Sequence, residues 1–152
     1  MKIKYLCPDG VLEVEQPTLR ELERKLPGDW FGYAGFQLFQ RGQSQTFDID
    51  LLLFTRNRAL VIELKNWRGD IEFDGRQWVH RGVHHKSPVG LSELKARVLK
   101  DCLRDKFGAD KIPFVEHLVL LCNPNSRLQN FPESERQFTF PLAEFLIVCE
   151  SE

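Results

Sequence analysis

The run from Phe47 to Asn66, FDIDLLLFTRNRALVIELKN, constrains the fold more than any other part of the chain. Two apolar segments flank Arg56-Asn57, the turn-like residues in the stretch, and this predicts an antiparallel hairpin. A turn there sets Asp50 directly opposite Glu63, and Asp48 opposite Lys65. Side chains alternate along strands, so all four charged residues fall on one face. Phe47, Ile49, Leu51, Leu53, Leu60, Ile62 and Leu64 then form an apolar face suited to a core. Leu52, Phe54 and Val61 accompany the charges, so something is expected to cover that side too.

Two carboxylates paired across antiparallel strands have Cα atoms about 4.5–5.5 Å apart. Repulsion there costs up to about 1 kcal/mol on an exposed sheet, and more where water is excluded. Two readings stand. In one, Lys65 bridges Asp48 and the Asp50/Glu63 pair in a surface ion network on an open sheet face. In the other, the carboxylates share a proton or a cation, and Mg²⁺ favours carboxylate oxygens with water in its remaining positions.

The flanking patterns supply the rest of an α/β chain. Thr18–Leu26 repeats apolar residues at 19, 22 and 26, a short helix stopped by Pro27-Gly28. Trp30–Phe39 is an aromatic-rich strand, and it also offers a homodimer face that monomer packing explains equally well. Asp70–Phe73 and Trp78-Val79 suggest a strand pair across Asp74-Gly75. From Pro88 to Phe107 the period becomes helical, with Leu91, Leu94, Val98, Leu99, Cys102, Leu103 and Phe107 as the apolar stripe. Lys95, Arg97, Lys100, Arg104 and Lys106 fall largely off that stripe and read most simply as a solvated face, with a DNA-facing helix as the alternative. Phe114–Cys122 is expected to be a buried strand, Asn123–Arg136 a polar loop, and Pro141 the opening of a last helix through about Cys149.

With 21 basic and 22 acidic residues the chain has a net charge of −1, which excludes coating nucleic acid through bulk charge. Cys7, Cys102, Cys122 and Cys149 form no CxxC pair, which disfavours a zinc or redox centre and leads to the expectation of buried, reduced thiols in a cytosolic protein. The N-terminus lacks a signal-peptide pattern and no stretch is long and apolar enough to span a membrane, so a soluble cytoplasmic location is expected. The 152 residues suit one domain, and the abrupt end in LIVCESE suggests a module of a longer polypeptide.

The hairpin and its surroundings resemble the nuclease-related (NERD) domain, a branch of the PD-(D/E)xK nuclease superfamily. The matching residues are Ile49-Asp50, then Val61-Ile62-Glu63-Leu64-Lys65-Asn66, then Gly69 with Asp70-Ile71, Trp78, and a proline-led helix from Pro88. Where the family often has Asn-Pro followed by glutamine, this chain has Ser87-Pro88 and no glutamine nearby.

The resemblance implies a restriction-endonuclease-like core, α-β-β-β-α-β-α, with a central mixed sheet flanked by helices. It implies hydrolysis of phosphodiester bonds in DNA, RNA not being excluded. Asp50 and Glu63, with the Leu64 carbonyl as a third ligand, would hold Mg²⁺ or Mn²⁺, and Lys65 would orient or activate water. Asp48 would steady Lys65. For the superfamily's first-helix glutamate the choice falls on Glu21, with Glu15 and Glu23 close behind. The basic stretch Arg76–Lys86 places Arg76, His80, Arg81, His85 and Lys86 as phosphate contacts, against a solvated hairpin as the plainer reading. Trp67 and Trp78 stand as base-stacking or packing residues. The alternative function is a catalytically weak nucleic-acid-binding or docking module fused to a kinase-like or helicase-like partner.

Overall fold

The computed structural model describes residues 1–151. In chain order its first half contains β1 (Lys2–Tyr5), α1 (Gln16–Lys25), β2 (Phe31–Phe39), β3 (Thr46–Phe54), β4 (Arg58–Lys65), β5 (Gly69–Phe73), β6 (Trp78–His80) and β7 (Val83–His85). Then come α2 (Pro88–Phe107), β8 (Phe114–Leu121), β9 (Ser126–Gln129), α3 (Glu133–Arg136), β10 (Thr139–Pro141) and α4 (Leu142–Glu150). Six strands form a mixed sheet in the order β1-β2-β3-β4-β8-β10, and four form a smaller sheet, β7-β6-β5-β9. This is the mixed α/β architecture expected, a central sheet flanked by helices in the manner of a restriction-endonuclease-like core. No helix among the described residues is long and apolar enough to cross a membrane.

The large sheet has a core on each face. On one, Leu19 and Leu22 of α1 and Phe145 and Leu146 of α4 pack on Leu51, Leu53, Leu60, Ile62 and Leu64. On the other, Ala96 and Leu99 of α2 pack on Ile49, Leu52, Ala59 and Val61. Ile49 thus lies opposite Leu51, where simple alternation predicts that they share a face. The cause is a kink shared by β2 and β3. Ala34 belongs to the first core and Phe36 lines the second, so both strands switch faces at Gly35 and Asp50. Gly35 has φ 66°, and a Cβ there would sit 2.6 Å from Val11 Cγ2, so only glycine makes this turn without strain.

The expected hairpin register holds from Leu51–Ile62 to Phe54–Ala59, but the expected pairs Asp50–Glu63 and Asp48–Lys65 lie outside the ladder. Beyond Leu51–Ile62 the ladder stops. There β3 stays with β2 as far as Phe39–Thr46, while β4 stays with β8 as far as Lys65–Leu121. The sheet therefore forks, and Asp50 and Glu63 stand where its two halves part.

Helix α2 starts and stops where the sequence indicates, with the Ser87 hydroxyl accepting the Gly90 N–H (3.2 Å) and Gly108 ending it at φ 83°. Its buried face matches the predicted stripe only in part, at Val98 and Leu99. Val89, Ser92, Lys95, Ala96, Val98 and Leu99 are buried, whereas Leu91, Leu94 and Phe107 are exposed. Ser92 and Ala96 are small enough to let the helix lie close on β4 and β8, and the larger leucines fall on its rim. Lys95, expected in solvent, is carried inward.

Three further differences have clear causes. Strand β1 pairs parallel to β2 and buries only Ile3, too weak a pattern to stand out in sequence. The segment expected as a polar loop contains β9 and α3, because Leu128 and Phe131 pack on Trp78 and Ile71. Strand β2 is interior, covered by β1 and β3, and its Phe31 stacks on Phe54 at 5.2 Å.

Candidate functional site

The fork leaves the Leu64 N–H without a backbone partner on β3, and Asp50 Oδ2 accepts it at 2.9 Å. The N–H and C=O of a strand residue project to the same side, so the Leu64 carbonyl also faces Asp50. Glu63 is 3% exposed. Its Oε1 accepts from the Lys95 ammonium, and its Oε2 lies 4.0 Å from Lys65 Nζ.

Burial pushes the Asp50 carboxyl up from its ordinary range, while the Leu64 N–H and the charges of Lys95 and Lys65 draw it back. Burial likewise raises Glu63, and the charge of Asp50 adds to the effect against the pull of Lys95 and Lys65.

A third carboxylate joins this field. Glu15, 7% exposed, ends a short 3-10 turn (Glu13–Glu15) directly before α1. Its pKa is pushed up to about 7, first by burial and then by the charge of Asp50, with a smaller contribution from Glu63. Glu21 and Glu23 are placed elsewhere. Glu21 pairs with Lys25 at 2.9 Å along the helix surface, and Glu23 Oε1 accepts the Ile3 N–H at 2.8 Å, tying β1 to α1. Asp48 is exposed and accepts from Gln37 Nε2 at 3.0 Å, a partner other than the expected Lys65. Cys122 lies beneath the site with its thiol pushed up to about 11 by burial, so it stays protonated at neutral pH and is no nucleophile.

Lys65 stands at the rim, its Nζ 5.5 Å from the centre of the Trp67 ring. Trp67 stacks on His80 at 5.2 Å and contacts His85 at 4.5 Å, so its faces are occupied by protein side chains. Trp78 is fully buried and donates its Nε1–H to Glu135 at 2.8 Å. Both tryptophans are therefore packing residues.

The basic stretch folds as the hairpin β6–β7 around Arg81-Gly82, both at positive φ as a two-residue turn requires. It brings His80 and His85 beside Lys65. His80 Nε2 lies 2.8 Å from the Arg68 carbonyl and so carries a proton, and His85 is held below its usual pKa, first by burial and then by the nearby Lys65 charge. Arg76 and Arg81 are exposed at the two turns. Lys86 lines a cleft of about 550 Å³ between the start of β3 and the start of α2, together with Asp48, Ser87, Gly90 and Lys95.

Sequence reasoning missed Lys95 entirely. The available signal was the spacing Val89, Ser92, Ala96, Leu99, a helix face of small and apolar residues with Lys95 inside its arc.

The donor chemistry suits a hard divalent cation, since Asp50, Glu63 and the Leu64 carbonyl all offer oxygen. Among the described residues, however, no three His, Cys, Asp or Glu side chains converge closely enough to close a cage. Two carboxylates, one backbone oxygen and water is the low-protein-ligand arrangement that Mg²⁺ accepts.

A forked mixed sheet with an aspartate on one arm and Glu-x-Lys on the other defines the nuclease-like class of restriction-endonuclease-like folds. Residues 11–122 match the nuclease-related domain (NERD), and the chain belongs to that family. It is 27% identical over 122 residues to the probable kinase PglW of Streptomyces coelicolor, an alignment covering 76% of this chain and 8% of that protein. The chain thus spans less than a tenth of the length of this relative. No solved structure matches.

Proposed function

We propose that this chain is a metal-dependent nuclease domain that hydrolyses phosphodiester bonds of DNA. The observation that carries the reading is the fork, which aims Asp50, Glu63 and Lys65 at one gap in an otherwise continuous sheet. Asp50, Glu63 and the Leu64 carbonyl are the residues that would hold Mg²⁺ or Mn²⁺. Such an ion, when bound, lowers the pKa of water and offsets charge on phosphate oxygens. The chain supplies the rest. Lys65 stands at the rim, where its ammonium would orient the attacking water and steady the negative charge that develops on the phosphoryl group. Trp67 limits the movement of Lys65 by packing beside its ammonium. Glu15 takes the place of Glu21 as the acidic residue contributed ahead of α1. His80, His85 and Lys86 face the approach to the site, and Arg76 and Arg81 extend the basic surface along the hairpin for backbone phosphates.

The test is cleavage of plasmid and oligonucleotide DNA, with RNA alongside, in Mg²⁺ or Mn²⁺. Asp50→Asn and Lys65→Met should each abolish it, and undiminished cleavage by either variant refutes the reading.

A second reading rests on a specific observation, the Lys95 ammonium already seated on Glu63. In it the domain is a module of a longer protein that binds or docks on nucleic acid without cutting, alongside a kinase-like or helicase-like domain. The name of the Streptomyces relative favours such a fusion. Specific DNA binding that survives Asp50→Asn, with no cleavage by the parent chain in either metal, would select it.

A further inference from the structure

Lys95 belongs neither to the Glu-x-Lys pattern nor to the basic hairpin, yet it is the closest cation to Glu63. Its side chain is 7% exposed and that of Glu63 is 4% exposed, so water screens the pair poorly. A buried pair of this kind is retained at a cost in desolvation, and its partners are not free to separate unless each finds a new one.

Asp50 and Glu63 supply two negative charges, and Lys65 and Lys95 supply two positive ones, so the two hairpin carboxylates are compensated even before Glu15 is counted. Adding a divalent cation with both ammonium groups in place would leave at least one uncompensated positive charge even with Glu15 ionised. Lys95 also contacts Glu63 Oε1 directly, so the ion and the ammonium compete for the charge of the same carboxylate. The helix carrying it is held fast, with Ser87 donating to Glu135 at 2.6 Å and Ser92 Oγ lying 3.0 Å from His117 Nδ1. Any exchange must therefore come from the side chain itself. A destination exists, because Lys95 also lines the cleft with Asp48 and Lys86.

We propose that Lys95 is a built-in cation of the site that competes with the divalent ion for Glu63, so that metal loading and release of the Lys95 ammonium into the cleft are one exchange. This rests on the metal-dependent reading above. In the unloaded chain Lys95 keeps Glu63 compensated. In the loaded chain its ammonium faces the cleft, where Asp48 or a backbone phosphate of the nucleic acid receives it. A phosphate in the cleft and a metal at Glu63 then favour one another, because each takes one partner of the same ion pair.

The experiment uses Mn²⁺ alone, with no nucleic acid. Calorimetric titration of the parent chain, Lys95→Met and Asp50→Asn should show Mn²⁺ bound about tenfold or more tightly by Lys95→Met than by the parent, and lost in Asp50→Asn. In parallel, labelling with an amine-reactive ester, read by mass spectrometry, should leave Lys95 protected without metal and raise its labelling severalfold at saturating Mn²⁺. Asp50→Asn should show no such rise. Asp50-dependent Mn²⁺ binding with neither tighter binding in Lys95→Met nor a change in Lys95 labelling overturns the exchange and leaves the metal reading standing. No Asp50-dependent binding in either the parent or Lys95→Met overturns both. Should Lys95→Met fail to fold, the labelling of the parent chain decides alone.

Discussion

Replacing Glu15 with Gln should stabilise the protein, and only above acidic pH. Folding moves the Glu15 carboxyl from an ordinary value of 4.5 to about 7, through burial and the charge of Asp50. Between those values the native chain keeps a proton that the unfolded chain has lost, so stability falls as pH rises through the window. Below about 4.5 both states are protonated and no penalty exists. Above about 7 both are ionised and the penalty is complete. A displacement of this size corresponds to at most about 3 kcal/mol. Glutamine keeps the shape without the charge, so Glu15→Gln should match the parent near pH 4 and exceed it by up to about 3 kcal/mol at pH 8. For a chain of this length that is a rise in Tm of about 6–12 °C. Urea unfolding at half-unit pH steps, in chelator to exclude metal ions, measures the difference directly. A gain that is the same at pH 4 and pH 8, or a loss at pH 8, would refute the argument that Glu15 shares the field of Asp50 and Glu63.

Two other substitutions probe the site's construction. Glu63→Gln should cost about 3–5 kcal/mol, because it strands the buried Lys95 ammonium without a countercharge. Chemical unfolding of the Glu63→Gln/Lys95→Met double variant should recover much of that loss, and a double variant no more stable than the single one contradicts the pairing. Gly35→Ala forces a side chain into a left-handed backbone, at about 1–2 kcal/mol, and against Val11. Its Tm should drop and any cleavage activity should fall with it, since Gly35 sits opposite Asp50 at the kink; an unchanged Tm would mean the kink is not held as described.

How the fold was legible depends on the range of the signal. The register of the central hairpin follows from Arg56-Asn57 and two apolar runs, all within twenty residues, and the structure pairs Leu51 with Ile62 as that register requires. The limits of α2 follow from Ser87-Pro88 and Gly108, which act on the backbone next to them. Its rotation did not follow. Periodicity reports which residues are apolar, whereas the buried arc depends on which side chains let the helix approach β4 and β8. Here small Ser92 and Ala96 outweigh Leu91 and Leu94.

The site divides in the same way. Asp50, Glu63 and Lys65 could be named from sequence because they follow directly on the last paired residues of one hairpin, Leu51 and Ile62, which keeps them close together. Alternation alone would have kept Ile49 with Leu51, however, and the kink at Gly35 reversed that by bringing a positive φ against a distant loop. Glu15 and Lys95 reach the site from segments 35 and 32 residues away from Asp50 and Glu63, respectively. No local propensity encodes such meetings. The order and register of the charged hairpin were determined by the sequence itself, through short-range sterics and patterning. Which further charges face it, and that a buried lysine already occupies Glu63, were decided by tertiary packing, because burial and the balance of charge arise only once α1 and α2 close on the two faces of the sheet.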